Sequence, residues 1–301
     1  MALFASTKSK VYLGLLGFIG IIAVFVGIFG WARKDNTHFQ PPNEFKTDTW
    51  LALPGPFDLN KAVLYLFIAG VLTVITMVYV ANRMQARPNR VQTLIELLYT
   101  TMRDTITKGS MDDRMAKKWF PLIGALFLFI WYSNLIGFIP LPTNTEHKFS
   151  LFGTEIPSFA IYAATANISV PLVLALVVFI SYNIEGIRAK GPIGYLKAFV
   201  PKGVQGPMVL LIFPLEIMSN FMRLISLSVR LFANMLAGHL IILFMGGALV
   251  VLLGIEALGA ITFPFAVAIF LFEVGLVATL QAFIFATLTA IYLGGAVADD
   301  H

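Results

Sequence analysis

The chain has 301 residues, of which 58% are hydrophobic and only 12% are charged, with a formal net charge of +5. A soluble domain of this length carries about twice that share of charged residues, so the composition excludes a soluble globular protein and is typical of a polytopic, all-α membrane protein. The chain contains no cysteine, which excludes a disulfide framework and a thiolate metal site.

The N-terminal part contains a first apolar run, Val11 to Gly30, which follows Lys8 and Lys10. The run is long enough to cross a bilayer. Its core is longer than that of a signal peptide and no Ala-x-Ala cleavage site follows it, so we interpret residues 1–33 as an extra N-terminal membrane anchor. A presequence that is removed is the alternative. Residues 34–60 are polar and rich in proline and glycine, which predicts an external loop.

Residues 61–301 contain the main membrane domain, which begins with three apolar runs. They predict membrane spans at about 61–81, 119–140 and 159–183. Pro171 lies inside the third run, which predicts a kink there. Residues 141–157, between the second and third spans, are predicted to form a loop. Residues 91–107 place apolar side chains at helical spacing with charged ones between them, which predicts an amphipathic helix on the membrane surface.

Two long apolar segments follow, at about 208–253 and 263–297, and we expect them to form a helical hairpin. As one continuous helix, each segment would be about 50 Å long, against a hydrocarbon core of about 30 Å. A helix of this length must be steeply inclined unless it is broken, and an inclined helix needs a surface to rest on. The two segments therefore suggest a large neighbouring protein in the membrane.

The lysines and arginines outside the long helices are sorted by side. Alternation across about six crossings assigns fourteen of them to one side of the membrane and five to the other. The positive-inside rule places the richer side, which also holds both termini, in the cytoplasm or its equivalent. The basic composition therefore reflects membrane topology and does not indicate a nucleic-acid partner.

A polar stripe runs along the first of the two long helices. At 100° per residue, its members fall within about 120° of the helix circumference. They are Glu216, Asn220, Arg223, Ser226, Arg230 and Asn234. The stripe continues through Ala237 and Gly238, whose small size would let another helix approach closely. His239 faces a different direction.

Arg230 is the most demanding residue of this stripe. A guanidinium in lipid is costly, by about 3 kcal/mol or more, and arginine cannot escape the cost by losing its proton. Glu216 is about 21 Å away along the helix and cannot reach it. The partner must come from another helix, another chain or water. An arginine that extends to the headgroups, or an ion pair that only fixes structure, is the alternative, in particular for Arg223.

The last helix offers three further polar residues. Gln281 and Tyr292 share a face, and Glu273 is rotated from Gln281 by about 80°. An ionisable glutamate at membrane depth favours a proton relay, and a protonated glutamate bonded to a neighbouring helix is the alternative. Because helices joined by a short loop pack antiparallel, Glu273 and His239 could meet and transfer protons. Asn134, near the end of its span, could line a wet vestibule or cap backbone groups.

These residues carry a resemblance to a known family. The sequence SLSVRLFANMLAGH, followed about forty residues later by LQAFIFATLTAIYL, resembles the a subunit of the F-type ATP synthases, the stationary partner of the rotating c ring. The likeness extends from about Asn60 to the C-terminus and includes RVQTLIELLY, NLIGFIP and ADDH. The first sixty residues fall outside it.

The resemblance implies ion translocation, of H⁺ or Na⁺, through two offset half-channels at the interface with the c ring, coupled to ATP synthesis. It gives Arg230 the role of the essential arginine that faces the ring's carboxylate. The other positions that match the family's ion pathway are Asn234, Gln281, His239, Glu273, Glu216, Arg223, Ser226, Asn134 and Tyr292. Glu273 departs from the pattern, because it lies eight residues before Gln281 where seven is usual. Gly137 and Thr165 stand where some members have aspartate.

The resemblance also implies partners and a location. The partners are the c ring, b-type peripheral stalk subunits, the remaining ATP synthase subunits and the lipid bilayer, and no cofactor is implied. The expected location is the plasma membrane of a bacterium, with an organelle's inner membrane as the alternative. No HExxH motif and no P-loop occurs in the sequence, so any ATP chemistry belongs to other subunits.

Two other functions compete with this interpretation. A self-contained secondary transporter would show paired, interrupted helices in two repeated halves, and the sequence has no internal repeat. A structural membrane anchor of a complex would use its charges only to hold helices together, and it would tolerate substitution of Arg230.

Overall fold

The computed structural model describes residues 49–51, 59–83, 90–151, 154–200, 206–248 and 258–298, with the single positions 12, 17, 19, 20, 23, 24 and 250. Apart from those single positions, the predicted N-terminal anchor (1–33) lies outside the described residues, and so does most of the predicted external loop (34–60). At the end of that loop, β1 (Thr49–Leu51) pairs antiparallel with β2 (Leu59–Asn60).

The described chain is almost entirely helical. Its helices are α1 (Lys61–Arg83), α2 (Arg90–Thr100), α3 (Asp113–Gly137), α4 (Ser169–Lys190), α5 (Pro192–Lys197), α6 (Met208–Leu243), α7 (Gly259–Phe272) and α8 (Ala278–Val297). Among the described residues, five helical segments are long and apolar enough to cross a membrane: Lys61–Val80, Asp113–Gly137, Ser169–Lys190, Met208–Ala248 and Ile261–Val297. The predicted class, a polytopic all-α membrane protein, is confirmed.

The contacts divide the chain into two compact units. The larger comprises Thr47–Leu236 and Val274–His301, and the smaller comprises Met1–Lys46 and Ala237–Glu273. In the larger unit, α3 packs against both α1 and α8, and α8 also packs against α4. One face of α8 carries four alanines at a spacing of four residues, all fully buried, and such small side chains let helices approach closely. They are Ala278, Ala282, Ala286 and Ala290.

The predicted surface helix is helical over its whole length. It begins at Arg90 in α2, continues through a π-helical turn, Thr101–Thr107, and ends with Lys108–Ser110. Met102 and Ile106, which belong to the predicted apolar face, are buried in the protein core of the larger unit, and the position of the helix on the membrane surface stays a prediction. Its end is fixed by close packing, because Gly294 of α8 leaves no room for a Cβ atom against the carbonyl oxygen of Ser110.

The segment between the second and third predicted spans is a β-hairpin, and the prediction of a loop over 141–157 was wrong in this respect. Strand β3 (Leu141–Leu151) pairs antiparallel with β4 (Thr154–Ala160), and the register joins Leu141 to Ala160 and Leu151 to Thr154. The pairing satisfies the backbone groups of a long segment that has no helical apolar periodicity.

The third predicted span begins later than expected. The chain leaves β4 at Ala160, and α4 starts at Ser169, whose amide donates to Asn167 Oδ1 at 3.1 Å. Pro171 therefore lies in the first turn of α4, where its missing N–H removes no helical hydrogen bond. The predicted start at 159 and the predicted kink inside the span are both corrected.

The two long C-terminal segments are helical for most of their predicted lengths. The first is α6, which a π-helical turn, Phe244–Ala248, extends. The second is α7 and α8, which the π-helical turn Glu273–Val277 joins. At 1.5 Å per residue, a continuous helix of 37 or 41 residues would be about 55 to 62 Å long, well beyond the thickness of a bilayer core. The steep inclination of both segments stays a prediction.

Candidate functional site

Arg230 lies on α6 at the border between a buried and an exposed face. Leu227, Leu231 and Met235 are between 0% and 3% exposed and form the buried face, whereas Arg230 and Asn234 beside them are half-buried. The guanidinium donates from Nη2 to Ser226 Oγ, one turn earlier, at 3.4 Å. Among the described residues, Arg230 makes no ion pair. The described part of the chain therefore leaves this charge without a carboxylate.

A polar cavity of about 360 Å³ lies among α4, α5, the first half of α6 and the end of α8. Three residues singled out from the sequence line it: Glu216, Arg223 and Tyr292. The guanidinium of Arg223 lies over the ring of Tyr292, 5.4 Å from its centroid. Lys190 also lines the cavity, so its wall carries two cationic groups and one carboxyl group.

A network of side-chain hydrogen bonds forms one wall of this cavity. The hydroxyl of Tyr182 donates to Asn220 Oδ1 at 2.8 Å, and Asn220 Nδ2 donates to Asn183 Oδ1 at 3.2 Å. Tyr195 of α5 donates to the same Asn183 oxygen at 2.9 Å. Burial raises the pKa of the Tyr195 phenol, which keeps this hydroxyl a neutral donor.

The sequence prediction included Asn220 in the polar stripe but missed its two partners, Tyr182 and Asn183. The signal was the polar triplet Ser181, Tyr182 and Asn183 inside an otherwise apolar span. Because buried amides and hydroxyls need partners, the triplet and the stripe could have been paired.

His239 and Glu273 are both buried, at 3% and 8% exposed, within the smaller unit. The carboxyl group of Glu273 lies against Gly238, the residue before His239. A Cβ atom at Gly238 would come within 2.5 Å of its Oε2. Among the described residues, Oε2 has no hydrogen-bond partner. A buried carboxyl oxygen in this state is costly unless a proton or a water molecule joins it, so the place suits a group that exchanges protons.

Asn134 and Gln281 are both buried in the larger unit. Asn134 donates from Nδ2 to the carbonyl oxygen of Ala278 at 3.3 Å and accepts from Thr165 Oγ1 at 2.8 Å. Its amide thus bonds the backbone at the start of α8, three residues before Gln281. Of the two interpretations made from the sequence, this geometry matches bonding of backbone groups more closely than the lining of a vestibule.

The two positions where some family members have aspartate are explained by local packing. A Cβ atom at Gly137 would come within 2.6 Å of the Ala163 side chain, so a carboxylate does not fit there without rearrangement. Thr165 is fully buried, and its hydroxyl donates to Asn134. In this chain, both positions serve the close packing of α3 against the turn before α4.

The fold and these side chains together define a multi-pass membrane protein that carries charged and polar groups within its long apolar helices. Such groups are costly in lipid and mark ion or substrate pathways. Residues 63–294 match the sequence model of the family described as ATP synthase A chain. The chain belongs to this family, as the resemblance implied. Membership of the family makes it a subunit of a membrane-bound ATP synthase complex.

Individual relatives agree with this assignment over most of the chain. A protein named ATP synthase subunit a from Bradyrhizobium diazoefficiens is 37% identical over 247 residues, covering 80% of this chain and 89% of the relative. Its counterpart from a Methylobacterium species is 38% identical over 80% of this chain and 88% of the relative. The one from Hyphomonas neptunium is 33% identical over 87% of this chain and 98% of the relative. All the candidate residues fall within the family match.

Proposed function

We propose that this chain translocates ions, most simply protons, through two half-channels at an interface with a rotating c ring, and so couples a transmembrane ion gradient to ATP synthesis. The observation that carries the proposal is Arg230, a permanent cation within an apolar helix that makes no ion pair in the described part of the chain. A carboxylate that belongs to another polypeptide would complete it.

The chemistry of this pairing gives the mechanism its direction. A carboxyl group that meets the fixed charge of Arg230 is favoured in its ionised form, so it must release its ion there. It must take up an ion again before it returns to lipid, because a bare carboxylate in lipid is costly. If the release and uptake paths open to opposite sides of the membrane, each ion that crosses moves the ring one step. Each elementary charge crossing 100 mV supplies about 2.3 kcal/mol, so several ions must cross for each ATP.

The two clusters of polar residues supply the two paths. The cavity lined by Glu216, Arg223 and Tyr292 is one path, with the exposed Ser226 further along the same helix. His239 and Glu273 form a proton-transfer pair in the other path. Gln281 and Asn234 flank the arginine, and Asn134 holds the start of the helix that carries Gln281.

The distribution of lysines and arginines and the family together support a topology, a set of partners and a location. Both termini lie in the cytoplasm by the positive-inside rule. The partners are the c ring, b-type peripheral stalk subunits and the remaining ATP synthase subunits, in the plasma membrane of a bacterium. The relatives quoted above, which come from bacteria, agree with this location. Whether the ion is H⁺ or Na⁺ depends on the carboxylate site of the ring.

The test is replacement of Arg230. We expect Arg230→Ala to abolish coupled ATP synthesis and ATP-driven ion pumping while the complex still assembles, because the variant removes the charge that the ring carboxylate must meet. Arg230→Lys should fail too, since it loses the planar, always-charged guanidinium. Both activities are measured in inverted membrane vesicles, and assembly is measured by isolation of the complex.

The matched control is Arg188→Ala, which removes an exposed arginine from the last turn of α4. Normal coupled synthesis in Arg230→Ala would refute the proposal. It would favour the structural anchor, which tolerates the loss of this charge.

A further inference from the structure

Asn220 differs from the rest of the polar stripe. Of its six members, Asn220 is the one that is buried, at 7% exposed, whereas Arg223 and Ser226 are exposed and Arg230 is half-buried. Asn220 belongs to the same helix as Arg230 and lies ten residues before it. Its side chain bonds α4, so the stripe is attached to the rest of the larger unit at this point.

We propose that Asn220 is a positioning residue, which fixes the rotation of α6 about its own axis and thereby the direction in which Arg230 points. This inference rests on the proposed function of Arg230. The residues that complete the attachment are Tyr182 and Asn183 of α4 and Tyr195 of α5.

The geometry of the amide supports control of rotation. Asn220 accepts from Tyr182 through its Oδ1 and donates to Asn183 through its Nδ2, at 2.8 and 3.2 Å. The Tyr182 hydroxyl also lies 3.3 Å from the backbone carbonyl oxygen of Asn220. Because the donor and acceptor ends of one planar amide bond two consecutive residues of α4, a turn of α6 in either direction lengthens at least one bond. Tyr195 then holds Asn183 in place at 2.9 Å.

The apolar contacts of α6, which include the buried Leu227, Leu231 and Met235, are not directional. Phe221, Met222 and Ile225 are about half-exposed apolar side chains on the outer side of the helix. In a bilayer these side chains gain little by facing protein instead of lipid, because both surroundings are apolar. The hydrophobic effect therefore contributes little to the choice of rotation, and the directional polar bonds of Asn220 add to the preference that close packing of the buried face sets.

A small rotation would have a large effect at Arg230. The tip of a side chain lies about 6 Å from the helix axis, so a rotation of roughly 20° moves it by about 2 Å. Displacements of about 1 Å in a reacting geometry already lower rates strongly. Loss of the attachment should therefore impair ion transfer without unfolding the protein.

The experiment uses cysteine labelling in the assembled ATP synthase, which is possible because the chain has no cysteine of its own. Ser226 and Asn234 lie about 40° on either side of Arg230 around the helix. Single cysteines at 226 and 234 are introduced separately, and the rate of reaction with a small water-soluble thiol reagent is measured for each. The rates are compared between Asn220 and Asn220→Leu, which keeps a branched side chain of similar shape and removes both side-chain hydrogen bonds.

We expect Asn220→Leu to change the two labelling rates in opposite directions, each by about threefold or more, and to lower ATP synthesis by about tenfold in a chain without the added cysteines. Tyr182→Phe, which keeps the ring and removes the hydroxyl, should give smaller changes of the same sign. Thr73→Val is the control, because the hydroxyl of Thr73 is buried but donates only within its own helix, to the carbonyl oxygen of Ala69.

Three results would overturn the inference: unchanged labelling with normal synthesis, a rise of both rates together, which indicates general loosening, or no effect of Tyr182→Phe. The Tyr182→Phe variant decides the question if Asn220→Leu does not assemble. If Arg230→Ala retained synthesis while Asn220→Leu still shifted labelling in opposite directions, the proposed function would fail and the control of rotation would stand.

Discussion

Two charged regions of this molecule are treated in opposite ways. Lys118 of α3 and Glu185 of α4 form an ion pair, with the ammonium donating to both carboxylate oxygens at 2.5 and 2.7 Å, and the glutamate is only 8% exposed. Arg230 has a serine hydroxyl as its neighbour and no ion pair in the described part of the chain. The fold can neutralise a charge within itself, and the described part of the chain does not do so at Arg230.

The difference separates charges that are paired within the fold from charges that are available for ion transfer. In a pair inside one chain, each charge offsets the cost of burying the other, and the pair is then chemically silent. A charge without a partner in its own chain costs free energy until something else binds it. Glu273 resembles the second kind in one respect, because its buried Oε2 atom has no hydrogen-bond partner among the described residues.

Removal of Lys118 should destabilise the fold around the Lys118–Glu185 ion pair and leave ATP synthesis intact. Lys118→Ala leaves the buried carboxylate of Glu185 without its partner. Loss of one member of a fully buried pair costs about 3–5 kcal/mol, and because Lys118 is half-exposed we expect about 2 kcal/mol. The measurement is thermal unfolding of the isolated complex, together with ATP synthesis per assembled complex, which should stay normal.

The control for this variant is Lys117→Ala, which removes an exposed neighbouring lysine. The double variant Lys118→Ala with Glu185→Gln should recover part of the lost stability, because the uncompensated charge is gone. A large loss of ion transfer per assembled complex in Lys118→Ala would contradict the separation of the two regions.

Gly238→Ala tests the place of the Glu273 carboxyl group in the smaller unit. A methyl group at this position would occupy the place of the Glu273 carboxyl group, which must then move. We expect coupled ATP synthesis to fall by about tenfold, with the fold retained, since displacements of about 1 Å in a proton-transfer geometry are costly. The measurement is ATP synthesis in vesicles at a fixed imposed gradient.

The matched control is Gly246→Ala in the π-helical turn after α6, where an added Cβ atom meets nothing within 4 Å. Equal losses in the two variants would indicate that any alanine in this part of the chain is harmful. The proximity of Glu273 to Gly238 would then carry no functional meaning.

The sequence predicted the features that depend on hydrophobic periodicity and on the free-energy cost of a charge in lipid. The apolar runs gave the helices, the stripe containing Arg230 followed from the angle between successive residues, and the close approach at Gly238 followed from its missing side chain. The group that approaches Gly238 is the carboxyl group of Glu273. Antiparallel packing of the two long helices predicts that this carboxyl group meets His239, the neighbouring residue.

The sequence could not predict features that depend on tertiary contacts. The partners of Asn220, Tyr182 and Asn183, lie on α4, and the polar triplet that contains them shows that they need partners but not which residues these are. The start of α4 was set too early because residues 159–168 are apolar enough to extend the span, while pairing of β4 with β3 and the bond from Ser169 to Asn167 decide where the helix begins. Backbone pairing overrode hydropathy there.

The most direct measurement asks where the partner of Arg230 comes from. Asn234→Cys, one turn from Arg230, is combined in the assembled complex with a single cysteine placed one turn from the membrane carboxylate of the c subunit, and disulfide formation is followed under mild oxidation. The account predicts a cross-link between the two chains. A complete absence of that cross-link in an assembled complex, with Arg230→Ala still active in coupled synthesis, would contradict it.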